Sequence, residues 1–303
     1  MVLSVIGASE KGLEKGKKTF YCVKVDWGFE GWKMKRRVSC IIPNFNGGAK
    51  LIKSIKLCIS YCDEVIVIDD CSKDDSKVLL KKIKSKKLII LKNGSNKGSS
   101  YSRNRGARKA KFGNLLFIDS DCYLTKVNFE KLVLGRREII YPRIIDSTRK
   151  DYNSYNGQTY IDNSVCFFLK KKDFFDVGGF DEKIKIYMDD VEFFFKCYKE
   201  GLTSRYVDRS IGRHDAGQKT PESISKGFFL NLKHTVYFCL KHKRGLKKEI
   251  FPTWFTVFAN LRRSLLNKDR FYDTPLTGSK PKTFCKSLVS IIEGFRLYFS
   301  PEA

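Results

Sequence analysis

Leu115-Leu-Phe-Ile-Asp-Ser-Asp121 sets four consecutive apolar residues directly ahead of two carboxylates. An unbroken apolar run of this length reads as a strand buried on both faces, as in a parallel sheet covered by helices. The pattern recurs upstream. Glu64 to Ile68 is β-branched and apolar and ends in Asp69-Asp70, and Val38 to Ile42 is an apolar run closed by Pro43 and the loop Asn-Phe-Asn-Gly-Gly. Between those two runs Leu51, Ile55, Cys58, Ile59 and Cys62 fall at i, i+4, i+7, i+8 and i+11, one face of a helix. Val78, Leu79 and Ile83 begin a second helical pattern, Leu88 to Leu91 is strand-like, and a glycine-punctuated helix is expected from Ser99 to Lys111. Strands alternating with helices imply an α/β fold with right-handed crossovers. In open α/β sheets ligands bind outside the carboxyl ends of the strands, where both acidic pairs fall.

Further along, Glu138 to Tyr141 and Val165 to Leu169 are expected strands. Asp189-Asp-Val-Glu192 opens a helix that carries Phe193, Phe194, Cys197 and Tyr198 and stops at Gly201. Thr203 to Val207 is strand-like, and His214 is expected in a polar, glycine-containing loop beyond it. Residues 222–300 read as three helical segments separated around Gly245 and Asp273 to Pro281. The expected organisation is a segment 1–37 of uncertain status, a principal domain 38–220 and a basic helical region 221–303. Met34-Lys-Arg-Arg-Val-Ser would make an ordinary start for that domain, so translation is expected to begin at Met34. Native protein whose intact mass begins at Met1 or Val2 would overturn that.

The 303 residues carry 59 Lys and Arg against 33 Asp and Glu, a formal charge of +26, yet 42% are hydrophobic, enough for a substantial core and against disorder. No stretch reaches the roughly 18 uninterrupted apolar residues of a membrane span. The N-terminus lacks the basic and apolar regions of a secretory signal, so a cytoplasmic protein is expected. Ten cysteines with no Cys-x-x-Cys pair read as reduced packing residues; Cys58 and Cys62 lack the further ligands a structural zinc needs. The charge admits nucleic acid, an anionic membrane or phosphorylated ligands. No zinc finger, RNP1-like run or helix-turn-helix accompanies it, so nucleic acid ranks last. From Pro221 onward there are 15 Lys and Arg against six Asp and Glu. Phe228, Phe229, Leu230, Val236, Tyr237 and Phe238 beside Lys233, Lys241, Lys243 and Arg244 fit either an interfacial helix on an anionic membrane or an amphipathic helix packed on the principal domain.

Each acidic feature has two readings by itself. Asp119 and Asp121 can both reach one hard divalent cation, Mg²⁺ or Mn²⁺, or they form a solvated turn. Asp69 and Asp70 can accept hydrogen bonds from a base or a ribose. Arg103 either pairs with a phosphate or decorates a helix. Asp189 and Asp190 are also what a helix N-terminus favours. His214 fits a metal or phosphate ligand, while His234 and His242 read as structural.

Order joins these features. Val38-Ser-Cys-Ile-Ile-Pro-Asn-Phe-Asn-Gly47, Val65-Ile-Val-Ile-Asp-Asp-Cys-Ser72, Ser102-Arg-Asn-Arg-Gly106, Phe117-Ile-Asp-Ser-Asp121, Gly178-Gly-Phe-Asp-Glu182 with Asp189-Asp-Val-Glu192, and His214 follow one another as in family 2 of the nucleotide-sugar-dependent glycosyltransferases, which residues 38–220 closely resemble. The resemblance implies a GT-A fold, a mostly parallel mixed sheet flanked by helices, and a helical C-terminal extension. It implies an inverting glycosyltransferase that moves a sugar from a nucleoside diphosphate to a glycan or lipid-linked acceptor. Pro43, Phe45 and Asn46 would border the nucleotide, Asp69 and Asp70 would contact base and ribose, and Arg103 would lie beside them. Asp119 and Asp121 would hold Mn²⁺ or Mg²⁺ on the diphosphate with His214. Asp190 would be the general base, and Asp189 could exchange roles with it. The tail more loosely resembles members that work at the inner membrane surface. Cys71 departs from the family's usual Gly, Asn44 and Phe45 from Thr and Tyr, and Asp189 and Glu192 from Glu and Asp. The alternative is an inactive member serving as a sugar-binding or scaffold subunit.

Overall fold

The computed structural model describes residues 37–126, 135, 137–146, 164–215, 217, 220–242, 257 and 280–300. The expected start at Met34 and, apart from Val257, the middle C-terminal helical segment lie outside the described residues.

Strands β1 (Val38–Asn44), β2 (Glu64–Asp69), β3 (Leu88–Lys92) and β4 (Asn114–Ile118) are linked through helices α1 (Gly48–Tyr61), α2 (Ser76–Lys81) and α3 (Ser99–Lys109). Their pairings are all parallel, as the crossovers require. Four more strands follow: β5 (Cys122–Lys126), β6 (Glu138–Asp146), β7 (Cys166–Lys170) and β8 (Thr203–His214), with α4 (Lys171–Asp176) and α5 (Asp189–Lys199) among them. One eight-stranded sheet results, ordered β3-β2-β1-β4-β7-β6-β8-β5, in which β7 runs antiparallel to β4 and the β6/β8 pair is parallel again.

The continuous apolar strands bury both faces. Cys40, Ile42, Val65, Val67, Leu116 and Ile118 pack with Leu51, Ile55 and Cys58 of α1 on one side. Ile41, Ile66, Ile68, Leu115 and Phe117 pack with α3, α4 and α5 on the other. That second layer is a phenylalanine cluster: Phe117 stacks on Phe167 at 4.8 Å and Phe180 on Phe193 at 4.3 Å between centroids. Each such side chain contributes about 1.5–3 kcal/mol by leaving water, so the cluster makes a stiff floor beneath the sheet's carboxyl edge.

Three local expectations change. Cys122 to Lys126 forms β5, an element that the run ending in Asp121 concealed. Strand β6 continues past Tyr141 to Asp146. His214 is not in a loop: it ends β8, opposite Cys122 on β5 and Asp146 on β6. The polar stretch after Val207 obscured this, because pairing with β6 shifts there and resumes at Ile211, a bulge in a continuous strand.

Helices α6 (Pro221–Lys241) and α7 (Lys280–Phe299) pack on each other. Thr220 caps α6, its hydroxyl accepting from Ser223 N–H, and Pro221 occupies the first turn. The α6 aromatics Phe228, Tyr237 and Phe238, with Val236, are buried in the protein. Of the two readings, packing therefore holds for these side chains, and they offer no membrane face. No helix among the described residues is long and apolar enough to cross a membrane.

Candidate active site

The carboxyl ends of β1, β2 and β4 converge on one rim. Pro43 pairs with Ile68 near the end of β1. Phe45 beyond it is half exposed, and Asn46 adopts a left-handed φ of 58°, which asparagine tolerates. Asn46 Oδ1 accepts from Lys73 N–H at 2.7 Å and its own N–H donates to Ser72 Oγ at 2.9 Å, so the two strand-end loops are tied together.

The two neighbouring aspartates at the end of β2 differ sharply in environment. Asp70 accepts from Asn93 Nδ2 at 2.7 Å, Lys97 N–H at 2.8 Å and Gly98 N–H at 2.7 Å, so its carboxylate is largely committed to shaping the turn before α3. Gly98 is required there: its φ is +94°, and a Cβ would lie 2.4 Å from Lys185 O. Asp69, 1% exposed, accepts from Asn44 Nδ2 at 3.1 Å through Oδ1. Its Oδ2 is buried with no donor among the described residues, an uncommon state that leaves it open to a ligand N–H or O–H.

Arg103 is the centre of the constellation. Its Nη2 donates to Asp119 Oδ1 and its Nη1 to Asp189 Oδ2, both at 2.7 Å, and the side chain is 4% exposed. The guanidinium also lies over the Phe180 ring, 5.2 Å from its centroid. One cation thus joins the acidic end of β4 to the start of α5. Burial opposes its charge, but the carboxylates of Asp119 and Asp189 outweigh burial and raise its pKa. Arg103 was expected beside a nucleotide; its described partners are carboxylates.

Asp119 and Asp121 diverge. Burial is the largest influence on Asp119 and, with Asp121 adding to it against Arg103 and His214, raises its pKa to about 6. Asp121 Oδ1 lies 3.3 Å from His214 Nε2, and Asp215 N–H donates to Asp121 O at 2.9 Å, so β8 and the acidic turn are held side by side. Among the described residues no three Asp, Glu, His or Cys side chains converge as a cation cage. Two half-exposed carboxylates and an adjacent histidine nevertheless suit a hard cation that keeps waters and phosphate oxygens as its other ligands. Within that limit the residues fit Mn²⁺ or Mg²⁺.

The start of α5 separates two adjacent carboxylates. Tyr187 and Met188 both take left-handed φ values, 59° and 65°, at a cost of about 1–2 kcal/mol each. The turn sends Asp189 inward, where it accepts from Arg103 and from Ser99 Oγ at 2.8 Å. Asp190 is left half-buried on the rim, and among the described residues its carboxylate accepts only from Val191 N–H at 2.8 Å. Burial and, next, the Asp189 charge push its pKa up to about 7. The third acid of the helix serves packing: Glu192, fully buried, accepts from Lys241 Nζ at 2.7 Å.

The nine described cysteines are all free, and burial pushes the Cys40 and Cys122 thiols well above their ordinary values. His234 and His242 lie against Ile186 O at 2.8 Å and Glu192 Oε1 at 3.5 Å, in packing positions. The sequence marked Asn44 only as a departure from the family's usual Thr, and carried no sign that Ser99 belongs to this rim. Ser99 was legible only as the start of a glycine-led helix, because its partner Asp189 lies 90 residues away.

Residues 39–190 match the family model described as Glycosyl transferase family 2. An uncharacterized glycosyltransferase of Haemophilus influenzae is 26% identical over 192 residues, 56% of this chain and 64% of that protein. The UDP-Glc:alpha-D-GlcNAc-diphosphoundecaprenol beta-1,3-glucosyltransferase WfaP of Escherichia coli is 34% identical over 89 residues, 28% of this chain and 36% of that one. The chain thus spans less than two thirds of the length of either relative. Among solved structures, the mannosyltransferase PcManGT of Pyrobaculum calidifontis in complex with GDP-Man and Mn²⁺ superposes with a TM-score of 0.57 at 15% identity, over 90% of this chain and 79% of that one. At that identity the likeness is one of fold, the GT-A fold expected from the motif order.

Proposed function

The chain belongs to glycosyl transferase family 2, and from that premise we propose that it is an inverting enzyme that transfers a sugar from a nucleoside diphosphate to a hydroxyl of a glycan or lipid-linked acceptor. The observation that carries this reading is the Arg103 bridge, which makes the acids after β4 and those opening α5 a single site. Sugar transfer needs both: groups that accept a departing diphosphate and a base for the incoming hydroxyl.

Asp69 Oδ2 accepts from the nucleobase, and Phe45 and Asn46 border it. Asp70 acts one step back, by holding the Gly98 turn. Asp119 and Asp121, with His214 beside them, would hold a divalent cation, which when bound supplies Lewis-acid stabilisation of the leaving diphosphate. Arg103 offsets the charge of Asp119 and Asp189, so the acidic rim can form without mutual repulsion. Asp190 takes the proton of the acceptor hydroxyl, and a pKa near 7 suits a base at neutral pH. Asp189 is the fixed partner: it is committed to Arg103, and its charge strengthens Asp190 as a base. The deprotonated hydroxyl attacks the anomeric carbon directly and in line, which inverts that centre and requires no protein nucleophile.

The relative named for a diphosphoundecaprenol substrate supports a lipid-linked acceptor here, and such an acceptor would bring the enzyme to a membrane surface. The face we assign to that surface is on α7 instead of α6. Leu288, Ile292, Phe295 and Phe299 recur at i, i+4, i+7 and i+11 and are exposed, Phe299 by 75%, with Arg296 exposed beside them. An exposed apolar stripe with a cationic neighbour suits anionic headgroups. Flotation with phosphatidylglycerol vesicles tests this: the wild type should bind and Ile292→Glu should not, whereas equal binding by both removes α7 from the account.

Release of nucleoside diphosphate from UDP-glucose, UDP-N-acetylglucosamine, GDP-mannose and dTDP-rhamnose tests the activity. At least one donor should turn over with Mn²⁺, and Asp190→Asn should abolish this while leaving the fold intact. Full turnover by Asp190→Asn would remove the base.

A further inference from the structure

Helix α6 lies outside the family match, which ends at residue 190, yet three of its residues spaced seven apart face the segment that delivers Asp189 and Asp190. Gly227 comes first: a Cβ there would lie 2.8 Å from Tyr187 Oη, so the absence of a side chain admits the tyrosine ring against the helix. His234 follows, 2% exposed, with Nδ1 2.8 Å from Ile186 O and 3.2 Å from Tyr187 O. Lys241 is third, donating to Asp181 Oδ2 at 2.6 Å and Glu192 Oε1 at 2.7 Å, while Tyr237 Oη donates to the same Asp181 oxygen at 2.7 Å. Residues spaced by seven share one face of a helix. From the opposite side α3 holds the same segment, Ser99 N–H donating to Lys185 O at 2.8 Å and Ser100 Oγ to Ile184 O at 2.5 Å.

We propose that α6 is a positioning element of the active site, and that His234 is the positioning residue that holds the left-handed turn at Tyr187 and Met188 and so aims the Asp190 carboxylate. Two carbonyls on one ring nitrogen require that nitrogen to carry the hydrogen. Burial lowers its pKa from the ordinary value, which favours the neutral ring. Lys241 ties the first turn of α5 to Asp181, so the clamp grips the segment on both sides of the turn. Without it, residues 186–188 keep among the described hydrogen bonds only the first bond of α5, Glu192 N–H to Met188 O at 3.0 Å, because the α3 contacts stop at Lys185 and Asp189. The inference rests on Asp190 being the base.

The test compares His234→Leu, which removes the donor, with His234→Asn, whose amide can replace Nδ1–H. Amide hydrogen exchange across residues 186–192 of the intact chain should quicken by about tenfold or more in His234→Leu and stay at the wild-type rate in His234→Asn. With whichever of the four nucleotide sugars the wild type consumes, His234→Leu should lower kcat by about tenfold to a hundredfold, leaving binding of the matching nucleoside diphosphate within about twofold. Gly227→Ala, which should favour the helix while crowding Tyr187, is expected to lower kcat without lowering the melting temperature. Wild-type exchange and kcat in His234→Leu, or equal damage in His234→Asn, would overturn the inference. Asp190→Asn separates the two levels: if it keeps full turnover, the base assignment has failed; if it is inactive while His234→Leu is not impaired, only the positioning has failed.

Discussion

Replacing Arg103 with leucine removes the cation that the buried Asp189 and the half-buried Asp119 share among the described residues. The side chain is 4% exposed, and each contact is a 2.7 Å charge-assisted hydrogen bond. Breaking a buried pair from one side costs about 3–5 kcal/mol, chiefly because the surviving charge is stranded away from water. For a chain of this size that is a fall of about 6–20 °C in melting temperature. The deficit depends on pH. Asp119 already has its pKa raised to about 6, and loss of the guanidinium removes its strongest opposing influence, so the stranded carboxyl takes up a proton more readily still. An acid whose folded-state pKa is raised regains stability as pH falls, so the deficit should narrow by on the order of 1–2 kcal/mol between pH 8 and pH 5. Urea denaturation of wild type and Arg103→Leu at both pH values, without added cation, measures it. A deficit below about 1 kcal/mol at pH 8, or one that does not change with pH, would refute the bridge as the element that holds the two acidic pairs together.

Asp190→Asn should stabilise the fold at pH 8 by on the order of 1–2 kcal/mol and give no gain near pH 4, since the cost of ionising Asp190 is full above pH 7 and vanishes as pH falls toward its unfolded value. Thermal melts at the two pH values read this directly. In the wild type, kcat/KM should rise with pH along an acidic limb near 7. Cys71 holds a left-handed φ of 64°, where a β-carbon is strained; Cys71→Gly should stabilise by about 0.5–1 kcal/mol, the conformational relief exceeding the entropy that glycine adds to the unfolded chain. A loss in denaturation midpoint would count against that balance.

Much of this was legible because the signals were local. The apolar runs ending at Asp69 and Asp119 gave the parallel half of the sheet, and the left-handed φ of Cys71 explains the glycine usual there. Elements lacking a local signal escaped. Strand β5 is five residues that begin one after Asp121, and β8 is interrupted by a polar bulge, so neither has a clean period. The division of labour between Asp69 and Asp70, or Asp189 and Asp190, was not legible at all. Adjacent identical residues differ only in which side of the backbone they leave, and Gly98 and Arg103 decide that from distant parts of the chain. The basic tail misled in a similar way: α6 carries aromatics at membrane-like density, but they bury against the protein, while the exposed apolar stripe is on α7.

On the proposed mechanism the rim of β1, β2 and β4 is a cation-assisted diphosphate site. Thermal shift of the intact chain with UDP, GDP, CDP and dTDP, each with and without Mn²⁺, tests it most directly. At a hundred times its dissociation constant, one of these should stabilise the protein by about 2.7 kcal/mol. One diphosphate should do so only with Mn²⁺, and Asp121→Asn should abolish the effect. No shift with any diphosphate, or an equal shift with Mn²⁺ absent or Asp121 replaced, would contradict it.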